Sequence, residues 1–294
     1  MNEQQILIKK PFNEQYTLLI ETDSMLINAS LKSKTQARYD FSVINIEKDI
    51  IECRLMQLDL FVVESNNDLV KEIAQVTAAF NRMFNELHLK LNEKGEILEI
   101  LNIDLILSKW KQTKTEMQKI ARANDDIKQL IIINDNLLAQ PEKIKIAIKA
   151  NEFLQVFFGK IFGVNISSKV NEMGTNLLNT TNLAWSFLIT DIYEQQNLNR
   201  IKIISEAEPQ YSLNSKFYHN AYQQFAEHID LSKLSVKLEQ HSEYLIDKDT
   251  NRVIQAQINK IEEVHPNKLY MKLCYTLMCD EMYVKSLKNN IVIG

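Results

Sequence analysis

Apolar side chains recur along this chain in two periods, one strand-like and one helical, and the two periods come in blocks. Residues 4–9 form a short apolar run ended by Pro11, and residues 16–21 form a second, rich in Leu and Ile. In residues 38–47, Tyr39, Phe41 and Val43 alternate with Asp40, Ser42 and Ile44, and a polar break at Lys48-Asp49 leads into residues 50–63. Alternation interrupted by polar turns predicts an antiparallel meander with one solvated face. Within 50–63, Ile51, Cys53 and Leu55 share one phase, whereas Met56, Leu58, Leu60 and Val62 share the other. That switch predicts a β-bulge, or a strand that changes its buried face.

Helical spacing takes over next. Ser65-Asn66-Asn67-Asp68 offers N-cap candidates, and Leu69, Ile73, Val76, Phe80, Met83 and Leu87 then recur on one stripe. The spacing predicts an amphipathic helix over 68–86 lying on the first sheet. Residues 88–102 predict a hairpin, turned by Asn92-Glu93-Lys94-Gly95 with Gly95 in the left-handed region. Residues 103–162 read as helix for nearly their whole length. Asn124-Asp125-Asp126 interrupts them, Pro141 suits the first turn of a further helix, and Gly163 suits a C-terminal stop. Leu130 to Ile133 also fits a short buried strand. The first part has a narrow apolar stripe and is expected to be more solvated. The part from Ile144 to Phe162 has a wide apolar face and is expected to pack on a sheet.

The remainder returns to strand character. Residues 165–182 are polar and read as the main loop, 183–193 and 199–206 as strands, and 217–228 as a short helix. Leu234, Val236 and Leu238 mark a strand. Residues 242–264 predict a second hairpin with Asn251 at its left-handed position, 269–277 a long strand, and 283–293 a strand closing the sheet. The fold class is α+β: two strand-rich antiparallel meander units joined and covered by a central helical segment, over residues 1–102, 103–175 and 176–294. The same pattern also fits one continuous domain. The similar form of the two hairpins suggests a degenerate duplication.

Composition narrows the classes. The chain has 294 residues, 45% hydrophobic and 24% charged, enough for a sizeable core. A net charge of −4 without a basic block excludes a phosphate-backbone binder, so no nucleic-acid partner is expected. No stretch reads as a membrane span. The first residues lack a basic and then apolar leader, and three cysteines form no disulfide framework, so a reduced cytoplasmic setting is expected. Five glycines are few for phosphate-cradling loops or strained nucleophile turns, and asparagine is expected at some positive-φ positions.

Candidate chemistry is sparse. His88, His219, His228, His241 and His265 show no metal-ligand spacing, and Cys274 and Cys279 fall on opposite faces of a strand. Asp247, Asp249 and Asn251 imitate the start of a calcium loop, but Arg252 stands where Gly is needed and Ile258 where the bidentate Glu belongs. Glu206 and Glu208 share a strand face without any sign of a glycosidase pair. No catalytic residue, metal ligand or cofactor is assigned. Phe153, Phe157, Phe158 and Phe162 are ordinary core material between helix and sheet, and they are also the candidates for lining an apolar cavity or an interface. Tyr211, Tyr218 and Tyr222, in a polar segment beside Lys216 and His219, are the candidates for an exposed aromatic interface. The leading functional reading is a non-enzymatic intracellular protein acting through a protein partner, as adaptor, inhibitor or assembly subunit. The alternatives are a carrier of a small apolar ligand between curved sheet and helices, and an enzyme whose site assembles only in space.

Overall fold

Three long strands open the fold: β1 (Phe12–Leu26), β2 (Ala29–Glu47) and β3 (Ile50–Ser65). The computed structural model describes residues 5–121, 124–166, 168–195 and 198–288. Lys48 and Asp49 turn β2 into β3 with φ of 48° and 67°, as a two-residue hairpin requires. The phase switch in β3 is a bulge. Tyr39 pairs with Gln57 and Arg38 with Asp59, which leaves Leu58 as the extra residue. Beyond the bulge Leu60 takes up the phase of Ile51, Cys53 and Leu55, opposite buried Ala37, but this end of the strand is exposed and Leu60 with it.

Next come α1 (Asp68–Asn81), β4 (Glu86–Leu91) and β5 (Ile97–Ile100). Asn67 caps α1, its side chain accepting from the Leu69 N–H. The helix does not lie on the sheet along its whole length, as its stripe suggested. Leu69, Ile73 and Val76 are exposed, and only its end is buried, where Phe80 meets Trp110 at 6.2 Å. The β4–β5 turn matches expectation, with Gly95 at φ 79° and its N–H donating to the Asn92 carbonyl at 3.0 Å.

The helical middle is α2 (Ile103–Ala121), α3 (Asp125–Leu138), α4 (Pro141–Lys149) and α5 (Glu152–Phe158). Asn124 and Asn151 cap α3 and α5, and Pro141 opens α4. Leu130 to Ile133 are helical. Trp110 and Lys114 of α2 both donate to Asp135 of α3, at 2.9 and 2.6 Å, which fixes the two helices together. The chain leaves α5 at Gly159, φ 51°, and not at Gly163, which sits at φ 63° in the next turn and donates to the Ile6 carbonyl at 3.0 Å.

The polar stretch expected as a loop contains an edge strand, β6 (Val170–Thr175). After it come β7 (Asn182–Gln195), β8 (Arg200–Pro209), α6 (Ser215–Tyr222), β9 (Lys237–Asp247), β10 (Val253–His265), β11 (Leu269–Cys279) and α7 (Asp280–Lys288). The last segment was expected to be a strand closing the sheet. Its described part is a helix, with Asp280 and Glu281 in the first turn and Lys285 and Lys288 in the last, a charge order that suits the helix dipole. Residues 289–293 lie outside the described residues.

All the strands form one antiparallel sheet in the order β5-β4-β3-β2-β1-β11-β10-β9-β8-β7-β6. Neighbours are consecutive in sequence except at the centre, where β1 pairs with β11 from Tyr16↔Cys279 to Leu26↔Leu269. The two strand-rich halves are therefore one sheet of eleven strands, accompanied by seven helices among the described residues. The topology gives a duplication no support: the β4–β5 hairpin lies at an edge and the β9–β10 hairpin in the interior.

A buried carboxylate ties the right-hand part together. Glu262 of β10 accepts from Asn176 Nδ2 at 2.7 Å, Tyr222 Oη at 2.8 Å and the Leu178 N–H at 3.0 Å. The β6–β7 turn, α6 and β10 are thus pinned at one point, and Asn176 and Tyr222 are themselves buried. Glu262→Ala strands these donors without acceptors and is expected to cost about 3 kcal/mol in urea unfolding. A loss below about 1 kcal/mol would show that water substitutes for the carboxylate there.

Candidate ligand cavity

The short helix α5 is the plug around which the sheet closes. Five of its seven residues are buried apolar groups. Phe153 packs on Tyr16 at 5.5 Å and on Tyr39 at 4.9 Å, and Phe157 packs on Phe41 at 4.8 Å. Edge-on and tilted aromatic contacts of this kind add to what burial alone contributes. Two glycines let neighbouring backbone close on the plug. A Cβ at Gly95 would overlap the Phe158 ring, and one at Gly159 would overlap the hydroxyl of Tyr244, which donates to the Val156 carbonyl at 3.1 Å. The β4–β5 turn at one sheet edge and β9 near the other side thus hold the same helix.

The plug does not fill the concavity. Beside it lies a cavity of about 340 Å³, walled by Phe158 of α5, Ile97 of β5, Gly174 of β6, Trp185 and Phe187 of β7, Ile258 of β10 and Tyr275 of β11. Both edge strands and the central strands share this space, which requires a strongly curled sheet. The cavity separates two apolar clusters. The main core surrounds α5, and a smaller one holds Leu183, Trp185, Ala207 and Leu238.

Charged groups enter the same space. Glu172 of β6 pairs with Lys160, and Lys149 reaches it at 3.5 Å. Burial works to raise the Glu172 carboxyl, but these two lysines outweigh it and hold the carboxyl below the usual range. Lys260 of β10 and Glu152 of α5 face the cavity without such a contact. Burial pulls the Lys260 ammonium below the ordinary lysine value; Glu152 opposes that shift and Lys160 adds to it. Burial raises the Glu152 carboxyl, with Lys260 opposing. Glu152 is exposed on the side that faces the cavity. The Tyr275 hydroxyl is pushed up to about 12, by burial first and then by the Glu152 charge.

The aromatic residues singled out in the sequence divide. Phe153, Phe157, Phe158 and Phe162 come together in one buried cluster, and of these Phe158 lines the cavity. Tyr211 is 71% exposed, Tyr218 is half-buried, and Tyr222 is fully buried. The exposed trio expected from the sequence therefore does not exist, because Tyr222 points inward to Glu262. His88 meets Glu52 at 2.8 Å, and His241 lies between Glu206 at 2.6 Å and Glu243 at 3.3 Å. Burial would lower the His241 pKa, but the two carboxylates win and raise it. Glu206 and Glu208 are both exposed. In the calcium-like turn, Asp247 Oδ1 is occupied by the Thr250 N–H and hydroxyl, and Asn251 donates to the Leu7 carbonyl at 2.7 Å. Among the described residues no group of three or more His, Cys, Asp or Glu is placed to hold a metal ion, and no helix is long and apolar enough to cross a membrane.

Lys260, Glu152 and Glu172 were not singled out in the sequence. One signal was there. Ala256, Ile258, Lys260, Glu262 and Val264 share the inward phase of β10, so two charges interrupt an apolar row.

No protein-family model and no curated protein sequence matches this chain. Among solved structures, it is similar to one described as lipid–protein interactions in lipovitellin, with TM-score 0.46 and 9% identity over 95% of this chain. The chain spans 25% of that chain's length. It is also similar to a domain assigned to outer membrane lipoprotein sorting from Vibrio parahaemolyticus, with TM-score 0.18 and 6% identity, over 91% of this chain and 83% of that one. At these values the functional reading rests on the cavity and not on the resemblance.

The raised Glu152 carboxyl makes a pH prediction. The folded state keeps this proton longer than the unfolded chain, so the group's contribution to stability falls as pH rises from the ordinary carboxyl value of 4.5 through its raised folded value. Glu152→Gln removes that dependence. Urea unfolding at several pH values should show the variant gaining on the native protein as pH rises above the ordinary carboxyl value. A stability difference that does not change with pH would contradict the assignment.

Proposed function

We propose that this protein binds a small, largely apolar ligand in the cavity between α5 and the curled sheet, as a carrier or ligand-responsive protein. The observation that carries this reading is the cavity itself. Its volume of about 340 Å³ lies within the range of small-molecule sites, and its wall is amphipathic, with aromatic and aliphatic groups on one part and a comparable number of charged and polar side chains on the rest. The space opens to solvent, and its apolar walls there forgo dispersion contacts with a neighbouring group. A ligand that covers Trp185, Phe187 and Phe158 restores those contacts.

Binding of the neutral fluorophore N-phenylnaphthylamine to detergent-free protein tests the reading. One saturable site is expected, and Phe187→Lys, which puts a charge into the apolar wall, should weaken it by at least about tenfold. Absence of a saturable site, or equal binding by Phe187→Lys, would count against a carrier.

A second reading, action through a protein partner, is favoured by a separate observation. Phe61 and Val63 of β3 and Leu69 and Ile73 of α1 are exposed apolar residues on neighbouring elements. Exposed apolar surface of this kind is a frequent feature of contact sites. Ile73→Ser with Phe61→Ser should leave the unfolding midpoint nearly unchanged and abolish co-purification of a partner captured by the native protein. Unchanged capture would remove the support this surface gives.

A further inference from the structure

Lys260, on the floor of the cavity, has no counter-ion in contact with it, and unlike the exposed Lys94 at the β4–β5 turn it is half-buried. Among the described residues, Lys260 Nζ makes neither a hydrogen bond nor an ion pair; it lies 5.4 Å from the centroid of the Tyr275 ring. Its stem lies on the inward face of β10 between Ile258 and Glu262, the residue is half-buried, and this partial removal from bulk water is what lowers the ammonium's pKa. A desolvated ammonium held only by an aromatic face is costly, and proteins rarely keep one without use. The surrounding charges add a direction. Glu172 is shared by Lys149 and Lys160, so these three groups leave one positive charge in excess. Glu152 offsets Lys260 only at a distance. The chain as a whole carries −4, so a locally positive interior runs against its average.

We propose that the cavity selects an amphipathic monocarboxylate of the fatty-acid type, with its carboxylate paired to Lys260 and its chain against Phe158, Trp185 and Phe187. This rests on the carrier reading and adds the headgroup to it. A single negative charge matches the single positive excess. A phosphate monoester would bring about −1.5 to −2 charges and leave negative charge beside Glu152. A neutral ester would leave Lys260 as it stands in the empty cavity, with the same apolar contacts and no ion pair.

The test compares laurate, methyl laurate and dodecyl phosphate as competitors of N-phenylnaphthylamine on the full chain, below micelle formation. Laurate should bind at least about tenfold tighter than methyl laurate, and dodecyl phosphate more weakly than laurate. In Lys260→Met the ester should bind as before and the acid should lose its advantage. The same variant should unfold at a higher urea concentration, since it removes an uncompensated buried charge; a merely structural lysine would give the opposite shift. Should Lys260→Met not fold, Glu152→Gln gives a second reading, because loss of the opposing carboxyl should tighten laurate several-fold and leave the ester unchanged. Equal binding of acid and ester by the native protein overturns the headgroup assignment while the carrier reading stands. Preference for the phosphate overturns the carboxylate. Displacement by none of the three overturns both readings.

Discussion

The packing of a seven-residue aromatic helix into the hollow of one sheet governs this structure. An open sheet of eleven strands has two long faces and two edges, and it needs a reason to curl. Here α5 supplies one. Its Phe153 and Phe157 take contacts from Tyr16, Tyr39 and Phe41 on the central and left-hand strands, while Tyr244 of β9 reaches its backbone from the right. Gly95 brings the far edge against Phe158. Pairing of β1 with β11 makes the curl continuous, because it joins two runs of consecutive hairpins into one surface.

From that constraint the cavity follows. A helix of this length covers only part of a concave face so broad. The uncovered part lies between the main core and the Trp185 cluster, where the inward row of β10 turns from Ala256 and Ile258 to Lys260 and Glu262. The two charges are treated differently. Glu262 receives three hydrogen bonds and serves the fold. Lys260 donates none among the described residues, and its cost to stability is the counterpart of its availability to a ligand. Local cost at a binding position is a common pattern in proteins, where strain and uncompensated charge gather at functional sites.

Much of the local structure was legible in the sequence, for physical reasons that act over short range. The turns at Lys48-Asp49, Gly95 and Asn251 depend on a few residues of backbone preference. The bulge at Leu58 follows from a phase count, and the breaks at Asn124 and Pro141 from capping and from proline's missing N–H. What was not legible depends on distant partners. Strand β6 is polar because it is a short edge strand, and its pairing with β7 decides it. The alternation in Tyr283 and its neighbours yields to a helix that docks on β1 and β11, with Tyr283 donating to Gln36 at 3.1 Å. That two meanders are one sheet rests on β1 meeting β11 across nearly the whole chain. The cavity was legible only in outline, through the Phe-rich segment; the residues that give it polarity lie on β6, β10 and α5 and meet only in space.

Trp185 stands in the cavity wall and reports on the central claim directly. Titration of detergent-free protein with laurate, followed by tryptophan emission, should give a saturable change at one equivalent, and Trp185→Phe should abolish that change while Trp110, buried between helices, stays silent. An emission change that survives in Trp185→Phe, or no change in the native protein, would contradict a ligand site inside the curled sheet.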